Sequence, residues 1–161
     1  MNELQLKLCD IQGRLFELSA DNSYESSTFI KVFMTSDVAK ALDSTYNRMQ
    51  WAGEEYLLEE LTAIKGNNLI KKGEIYSKDI LYWIGYLYRY FSYTYELSST
   101  RVYKIVKPKE LRGLFLPYHT MDPSQAIERI LEAKGMFIDE ETELQRQYEI
   151  FKRIRMSKKD K

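Results

Sequence analysis

The sequence predicts an all-α protein, a compact single domain of several helices packed around a buried central helix. Only seven glycines and three prolines interrupt the 161 residues, so the chain has few of the tight-turn signals that many-stranded sheets require. Apolar residues recur at intervals of three and four along most of the chain, which is the helical period. Hydrophobic residues make up 44% of the chain, enough for one domain of this length to bury a core without disulfides or metals.

The N-terminal part is expected to form three amphipathic helices. The first covers residues 2–19 as a leucine-rich stripe, although Gly13 weakens a helix by roughly 1 kcal/mol relative to alanine. Ser36 is a favourable N-cap for a second helix that runs through Tyr46. The third, from Trp51 to Ile64, has apolar residues on one side and glutamates on the other.

The central helix is predicted at residues 78–95, with Ser77 as its cap. Apolar side chains cover more than half of its circumference, which is typical of a helix that is buried on nearly all sides. A short helix that begins at Ser98 or Ser99 is expected to follow. It should end before Pro108, because the residue preceding a proline disfavours helical dihedrals.

The segment from Leu111 to Met121 is expected to cross the fold as irregular structure, since Gly113 and Pro117 interrupt its apolar run. Asp122-Pro123 then signals a helix start, because aspartate is a favoured N-cap and proline a favoured first helical residue. Gly135 is expected to end that helix.

A long C-terminal helix is predicted from Asp139 to about Arg155. Its first turn is acidic and its last turn is basic, and both complement the helix dipole. One domain is expected to span residues 1–157, followed by a basic tail at 158–161 that frays.

The composition excludes several classes of function. One histidine, His119, and one cysteine, Cys9, cannot supply a catalytic triad with its base or the ligand set of a zinc site. The sequence also has no phosphate-binding glycine loop. From these observations together, no enzymatic activity, cofactor or metal is expected. The longest apolar run, residues 80–88, is too short to span a membrane, and the charged N-terminus is unlike a signal peptide. A cytoplasmic location is therefore expected.

The 24 basic and 24 acidic residues of the whole chain balance, but basic residues cluster in one stretch. This basic cluster comprises Arg101, Lys104, Lys107 and Lys109. The cluster follows a helix-turn-helix-like succession of two helices, so a DNA-binding regulator is one hypothesis. The turn at residues 95–97 lacks the glycine that is usual in this motif. The alternative is a solvated basic face that balances the glutamate-rich one.

Arg112 and His119 form an R-x6-H spacing. This spacing resembles the R-x(4–6)-H signature of HEPN ribonucleases, small all-helical proteins whose arginine and histidine cut RNA at a dimer interface. The resemblance implies Arg112 and His119 as catalytic residues. Gly113 stands where that family has a polar residue, and Gly113 with Pro117 should break the helix that carries the motif.

Three stretches carry a longer resemblance, over roughly residues 29–131. They are Phe33-Met34-x-Ser36 with Leu42-Asp43 and Tyr46; the block Met49 to Tyr56; and Tyr82 to Tyr90, followed by Ser98-Ser99, Tyr103-Lys104, Tyr118 to Met121 and Ala126-Ile127. In these stretches the chain resembles an uncharacterised family of small proteins from Firmicutes and other gut bacteria. The genes of that family lie beside genes for ADP-ribosyltransferase-like toxins, in loci resembling toxin–antitoxin systems. The resemblance implies a non-enzymatic, antitoxin-like or accessory protein-binding module.

The aromatic side chains are the expected binding surface. Tyrosines crowd the central helix, and those that do not fit inside the core would form an exposed patch of the composition that protein interfaces favour. The partner would be another protein, such as a cognate toxin, or a second copy of this chain, with no membrane involved. The expected partner-binding residues are Trp83, Tyr86, Tyr90, Tyr93, Tyr118 and His119.

Overall fold

The computed structural model describes residues 1–44, 52–136, 148 and 150–155, and these residues form helices and no strand. The helices are α1 (Glu3–Asp21), α2 (Ser26–Met34), α3 (Asp37–Asp43), α4 (Glu54–Lys65), α5 (Lys78–Tyr95), α6 (Ser99–Ile105), α7 (Pro108–Tyr118) and α8 (Pro123–Ala133), with a short 3-10 helix at Gly66–Asn68. The chain divides into two compact units, residues 1–123 and 124–161. The all-α prediction is confirmed for the described residues.

The first unit is organised around the pairing of α1 with α5, the most extensive contact between two helices. Both helices carry a glycine at the crossing. A Cβ added to Gly13 would lie 2.9 Å from the carbonyl oxygen of Tyr82, and one added to Gly85 would lie 2.6 Å from that of Gln12. The two backbones can therefore approach closely only because these residues have no side chain. Gly13, which weakens α1 locally, is required by the packing.

The prediction of a buried central helix at residues 78–95 is confirmed by α5, whose bounds agree with it. Its buried side chains include Leu81, Ile84, Leu87 and Phe91. The first predicted helix is confirmed by α1, and the short helix after Ser98 by α6, where the Ser98 side chain accepts a hydrogen bond from the backbone N–H of Arg101 at 3.1 Å.

Helix α2 was not predicted. Its N-cap, Glu25, makes no capping hydrogen bond through its side chain, so the usual start signal is missing. Phe29 and Phe33 are fully buried and form edge-on contacts with the ring of Phe16 in α1, with centroid distances of 5.9 and 5.7 Å. Tertiary packing of these aromatic rings stabilises a helix whose local signals are weak.

A buried arginine joins four helices of the first unit. Arg89 of α5 is 0% exposed, and its Nη1 forms an ion pair with the Asp43 carboxylate at 2.6 Å. Its Nε donates to Gln12 Oε1 at 2.8 Å, and its Nη2 donates to Ser99 Oγ at 2.7 Å. Because a buried charge is tolerated only when it is paired and hydrogen-bonded, this network fixes the relative positions of α1, α3, α5 and α6.

The prediction of irregular structure from Leu111 to Met121 is wrong, because Pro108–Tyr118 form helix α7. Pro108 lies in the first turn, where a missing N–H costs nothing. Pro117 lies in the last turn, so its ring removes only the hydrogen bond to the Gly113 carbonyl near the helix end. The buried Leu111 anchors the inner side of the helix.

The second unit contains most of α8, which begins at Pro123 as predicted. Gly135 follows it with a φ of +69°, the left-handed conformation that favours glycine after a helix. Residues 148 and 150–155 are helical and exposed. The rest of the predicted C-terminal helix, the basic tail at 158–161, and the predicted helix positions Tyr46 and Trp51 lie outside the described residues.

In the described part of the chain, no helix combines the length and the apolar character needed to cross a bilayer.

Candidate functional site

The outward side of α7 carries the most exposed large apolar side chain among the described residues. Leu116 is 80% exposed. Residues three, four and seven apart share one side of a helix, so Leu116 lies on the side of Lys109 and Gly113, and Pro117 lies four residues after Gly113 at the edge of that side; all four are exposed. We call Lys109, Gly113, Leu116 and Pro117 the α7 face. Leu111, on the opposite side of the helix, is fully buried.

Gly113 is the unusual member of the α7 face. A Cβ added there would meet no atom of the described residues within 4 Å, so none of these neighbours requires a glycine at this position. Glycine inside a helix costs about 1 kcal/mol relative to alanine, and Pro117 further removes the donor that the Gly113 carbonyl would normally have. A helix that is locally weakened without any benefit to its own packing is the kind of conflict that marks functional surfaces.

An aromatic row borders the α7 face. The ring of Trp83 on α5 meets the ring of Phe115 edge-on, at a centroid distance of 5.8 Å. The imidazole of His119 stacks on the same Phe115 ring at 4.3 Å. Because a carbonyl oxygen only accepts, the contact of 2.7 Å between Nδ1 of His119 and the Phe115 carbonyl places the proton on Nδ1. His119 is exposed, and its Nε2 is the ring atom that remains for a partner.

Of the six expected partner-binding residues, three lie on or beside α7. Trp83 and His119 belong to the aromatic row, and Tyr118 is half-buried at the end of α7. Tyr86 and Tyr90 form a separate row on α5, with a centroid distance of 6.3 Å. Both are half-buried, and burial raises the pKa of Tyr86.

Tyr93 is committed to contacts inside the first unit. Its hydroxyl donates to the Leu42 carbonyl at 2.8 Å, and its ring lies 5.4 Å from the guanidinium carbon of Arg89. Burial is the main cause that raises the pKa of Tyr93 to about 12. The structure therefore separates Tyr93 from the aromatic residues that are accessible beside α7.

The four residues of the basic cluster are exposed on α6 and at the start of α7. Lys107 Nζ lies 4.2 Å from the centre of the Tyr103 ring. None of the ion pairs among the described residues involves Arg101, Lys104 or Lys109. The cluster thus concentrates positive charge on this part of the described surface, with Glu110 as the acidic residue of the same stretch.

The turn between α5 and α6 contains one residue in the left-handed region of backbone conformation. Glu96 adopts φ 52° and ψ 46°, the left-handed region that glycine usually occupies there. The glycine that the sequence lacks is therefore replaced by a strained non-glycine residue. The following helix α6 has only seven residues, and its Val102 is buried.

The Arg112 and His119 pair lies on one side of α7, since the helix continues through Gly113. The structural objection to a HEPN-like motif is thereby removed, but both side chains have other partners. Arg112 forms an ion pair with Glu74 and lies 4.5 Å from the centre of the Tyr76 ring. Residues seven apart on a helix are separated by roughly 10 Å along the axis, and this is the longest spacing that the R-x(4–6)-H signature includes.

Other candidate groups within the described residues are already satisfied. Cys9 is buried, and burial raises the pKa of its thiol to about 12, which makes it a poor nucleophile. A cavity of about 480 Å³ beside Asp43 is lined in part by Ser92, whose hydroxyl donates to the Leu97 carbonyl at 2.6 Å and to the Asp43 carboxylate at 3.5 Å. No cluster of three or more His, Cys, Asp or Glu side chains suited to a metal occurs in the described ranges.

Comparisons of the chain with protein-family models, with curated proteins and with solved structures gave no match. The site is therefore defined by its own residues. Sequence reasoning missed Gly113 and Leu116 because it interpreted Gly113 and Pro117 as helix breakers. A helical reading of residues 108–118 would have placed both on the side opposite Leu111.

Proposed function

We propose that this protein is a non-enzymatic protein-binding module, antitoxin-like or accessory in a toxin–antitoxin-like locus, that docks its partner on the α7 face and the adjacent aromatic row. The observation that carries the proposal is the 80% exposure of Leu116 on a helix whose other side is buried. A large apolar side chain on an exposed face, bordered by aromatic rings, is typical of an interface centre.

The size of a stable interface argues that the surface extends beyond α7. Specific complexes bury at least about 1,000 Å² in total, which is more than one short helix face provides. Trp83 and His119 belong to the aromatic row next to the α7 face and supply the aromatic contacts that interfaces use. Tyr86 and Tyr90 on α5 would lie at the rim.

The family resemblance suggests which kind of partner to test first. A cognate toxin encoded beside the gene would be inhibited if this module covered its active surface. The competing ribonuclease hypothesis has less support, because Arg112 is paired with Glu74 and His119 Nδ1 is bonded to the Phe115 carbonyl.

The test is co-purification of the tagged chain with the products of its neighbouring genes. Leu116→Ser should abolish capture of the partner, because it removes the apolar centre of the surface. Ile64→Ser is the matched control: Ile64 is 52% exposed on α4, away from the proposed surface. Equal capture by both variants, or a tagged chain that purifies alone, would contradict the proposal.

A DNA-binding regulator is the second candidate, and the left-handed Glu96 between α5 and α6 favours it. A DNA complex should weaken steeply with salt, because each neutralised phosphate releases counterions. Arg101→Gln and Lys104→Gln should weaken binding to the promoter fragment of the locus in a gel-shift assay, whereas Leu116→Ser should not. This pattern separates the two candidates.

A further inference from the structure

We infer that the partner segment received by the α7 face is an acidic amphipathic helix that crosses α7 at Gly113. This inference rests on the proposed function and specifies the chemistry of the partner. Two observations carry it: the open space above Gly113, and the concentration of positive charge around the start of α7.

The geometry of Gly113 points to a helix as the occupant. Within this chain, a glycine on a helix surface is used for the close crossing of another helix, at Gly13 and Gly85. Gly113 is the same residue type on a helix surface, with open space in place of a neighbour. The exposed Leu116, one turn away, supplies a knob beside this hole, which is the pattern by which helices interlock.

The charge around the α7 face selects an acidic partner. The basic cluster contributes four positive charges, Glu110 is the one acidic residue in that stretch, and Arg112 is already paired with Glu74. The N-terminus of α7 adds the positive end of its helix dipole at the same place. A partner helix with carboxylates at one end and apolar residues near Gly113 would match both parts of the surface.

The same charges disfavour a second copy of this chain as the occupant. Two α7 faces paired in parallel would bring two basic clusters together, and paired antiparallel they would offer each cluster the α7 end with Tyr118 and His119 and no acidic segment, so the charge would stay unmatched in either case. The apolar and glycine residues at the centre of the face likewise disfavour nucleic acid, which is bound through phosphate contacts.

The test is a selection with the full chain as bait. The probe is a display library of helical peptides of about 18 residues, roughly five turns, with a fixed leucine stripe and all other positions drawn from Glu, Lys, Gln and Ala. Peptides enriched in Glu should be selected, and their affinity should fall about tenfold when the bait carries Gly113→Ala, because the added Cβ keeps the helix away. Leu116→Ser should lower the affinity as well, whereas Ile64→Ser should leave it unchanged.

The outcomes distinguish this inference from the proposed function. Selected peptides without an excess of Glu, peptides that bind Gly113→Ala as well as the parent chain, or no enrichment at all would overturn the inference. A chain that is a dimer by light scattering, and that Leu116→Ser turns into a monomer, would also overturn it in favour of a second copy. If acidic helices are selected but no neighbouring gene product co-purifies, the surface chemistry stands and the assignment to the locus fails.

Discussion

Two helix surfaces in this protein use glycine in opposite ways. At the crossing of α1 and α5, Gly13 and Gly85 each face backbone atoms that leave no room for a Cβ, and the destabilisation of the helix is offset by close packing. On α7, Gly113 faces open space, and no contact with the described residues offsets the same local cost. The proposed docking surface accounts for the difference: the first glycine pair has its partner in the free protein, and Gly113 would acquire one on binding.

The largest decrease in the free energy of unfolding is expected from Arg89→Met, near the α1–α5 crossing. The variant leaves Asp43, Gln12 and Ser99 without the guanidinium that they bind. Removing one member of a buried ion pair typically costs about 3–5 kcal/mol of unfolding free energy. Urea unfolding followed by circular dichroism measures it. A cost below about 1 kcal/mol would show that the network contributes little to the crossing.

Gly85→Ala should cause the next largest decrease in the free energy of unfolding. The added Cβ would lie 2.6 Å from the Gln12 carbonyl oxygen and 2.9 Å from a ring carbon of Phe16, so the helices must move apart. Overpacking of this kind costs about 1–3 kcal/mol. The same unfolding assay checks it, and an unchanged midpoint would mean that the crossing tolerates greater separation than the structure indicates.

The free energy of unfolding at alkaline pH should also report on the α1–α5 region. Because burial raises the pKa of Tyr93 to about 12 from an ordinary value near 10, the folded state holds the phenolic proton more tightly than the unfolded state. Its contribution to stability is complete below pH 10 and is lost as the pH rises through 12. The unfolding free energy should therefore fall over this window.

Tyr93→Phe provides the comparison for the alkaline effect. This variant loses the hydrogen bond to the Leu42 carbonyl, so it should be less stable at pH 8 by about 1 kcal/mol. Its free energy of unfolding should nevertheless decline less steeply between pH 10 and 12. An equally steep decline would assign the effect to other buried groups, such as Tyr88, whose pKa burial also raises.

The contrast between the two surfaces also explains how far the sequence could be read. The central helix was predictable because its apolar residues cover most of its circumference and because it lacks internal breakers. The requirement for Gly13 was not predictable, because the sequence around a helix glycine does not show whether another backbone approaches it. That distinction depends on contacts between α1 and α5, which are about 70 residues apart in the chain.

The candidate site was predictable only in part, for a related reason. Aromatic composition indicated Trp83 and His119, which form the aromatic row with Phe115, and Tyr118, which is half-buried at the end of α7. It could not indicate Leu116, because the exposed position of that residue follows only if residues 108–118 form a helix. Gly113 and Pro117 predicted that they would not. Pro108 at the first turn and the burial of Leu111 stabilise α7 despite these two residues. Tertiary contacts thus overrode the local signal.

The substitution with the smallest expected change in the free energy of unfolding should be the most informative about α7. Gly113→Ala places a methyl group in open space on a right-handed helix, so it should raise the unfolding free energy by about 0.5–1 kcal/mol through better helix propensity and a less flexible unfolded chain. Differential scanning fluorimetry and urea unfolding both measure the change. Since the same substitution at Gly85 is expected to destabilise, opposite signs would establish that one glycine is packed in the free chain and the other is not. Destabilisation by Gly113→Ala would instead mean that the α7 face is already covered, and the docking surface would then have to be sought elsewhere.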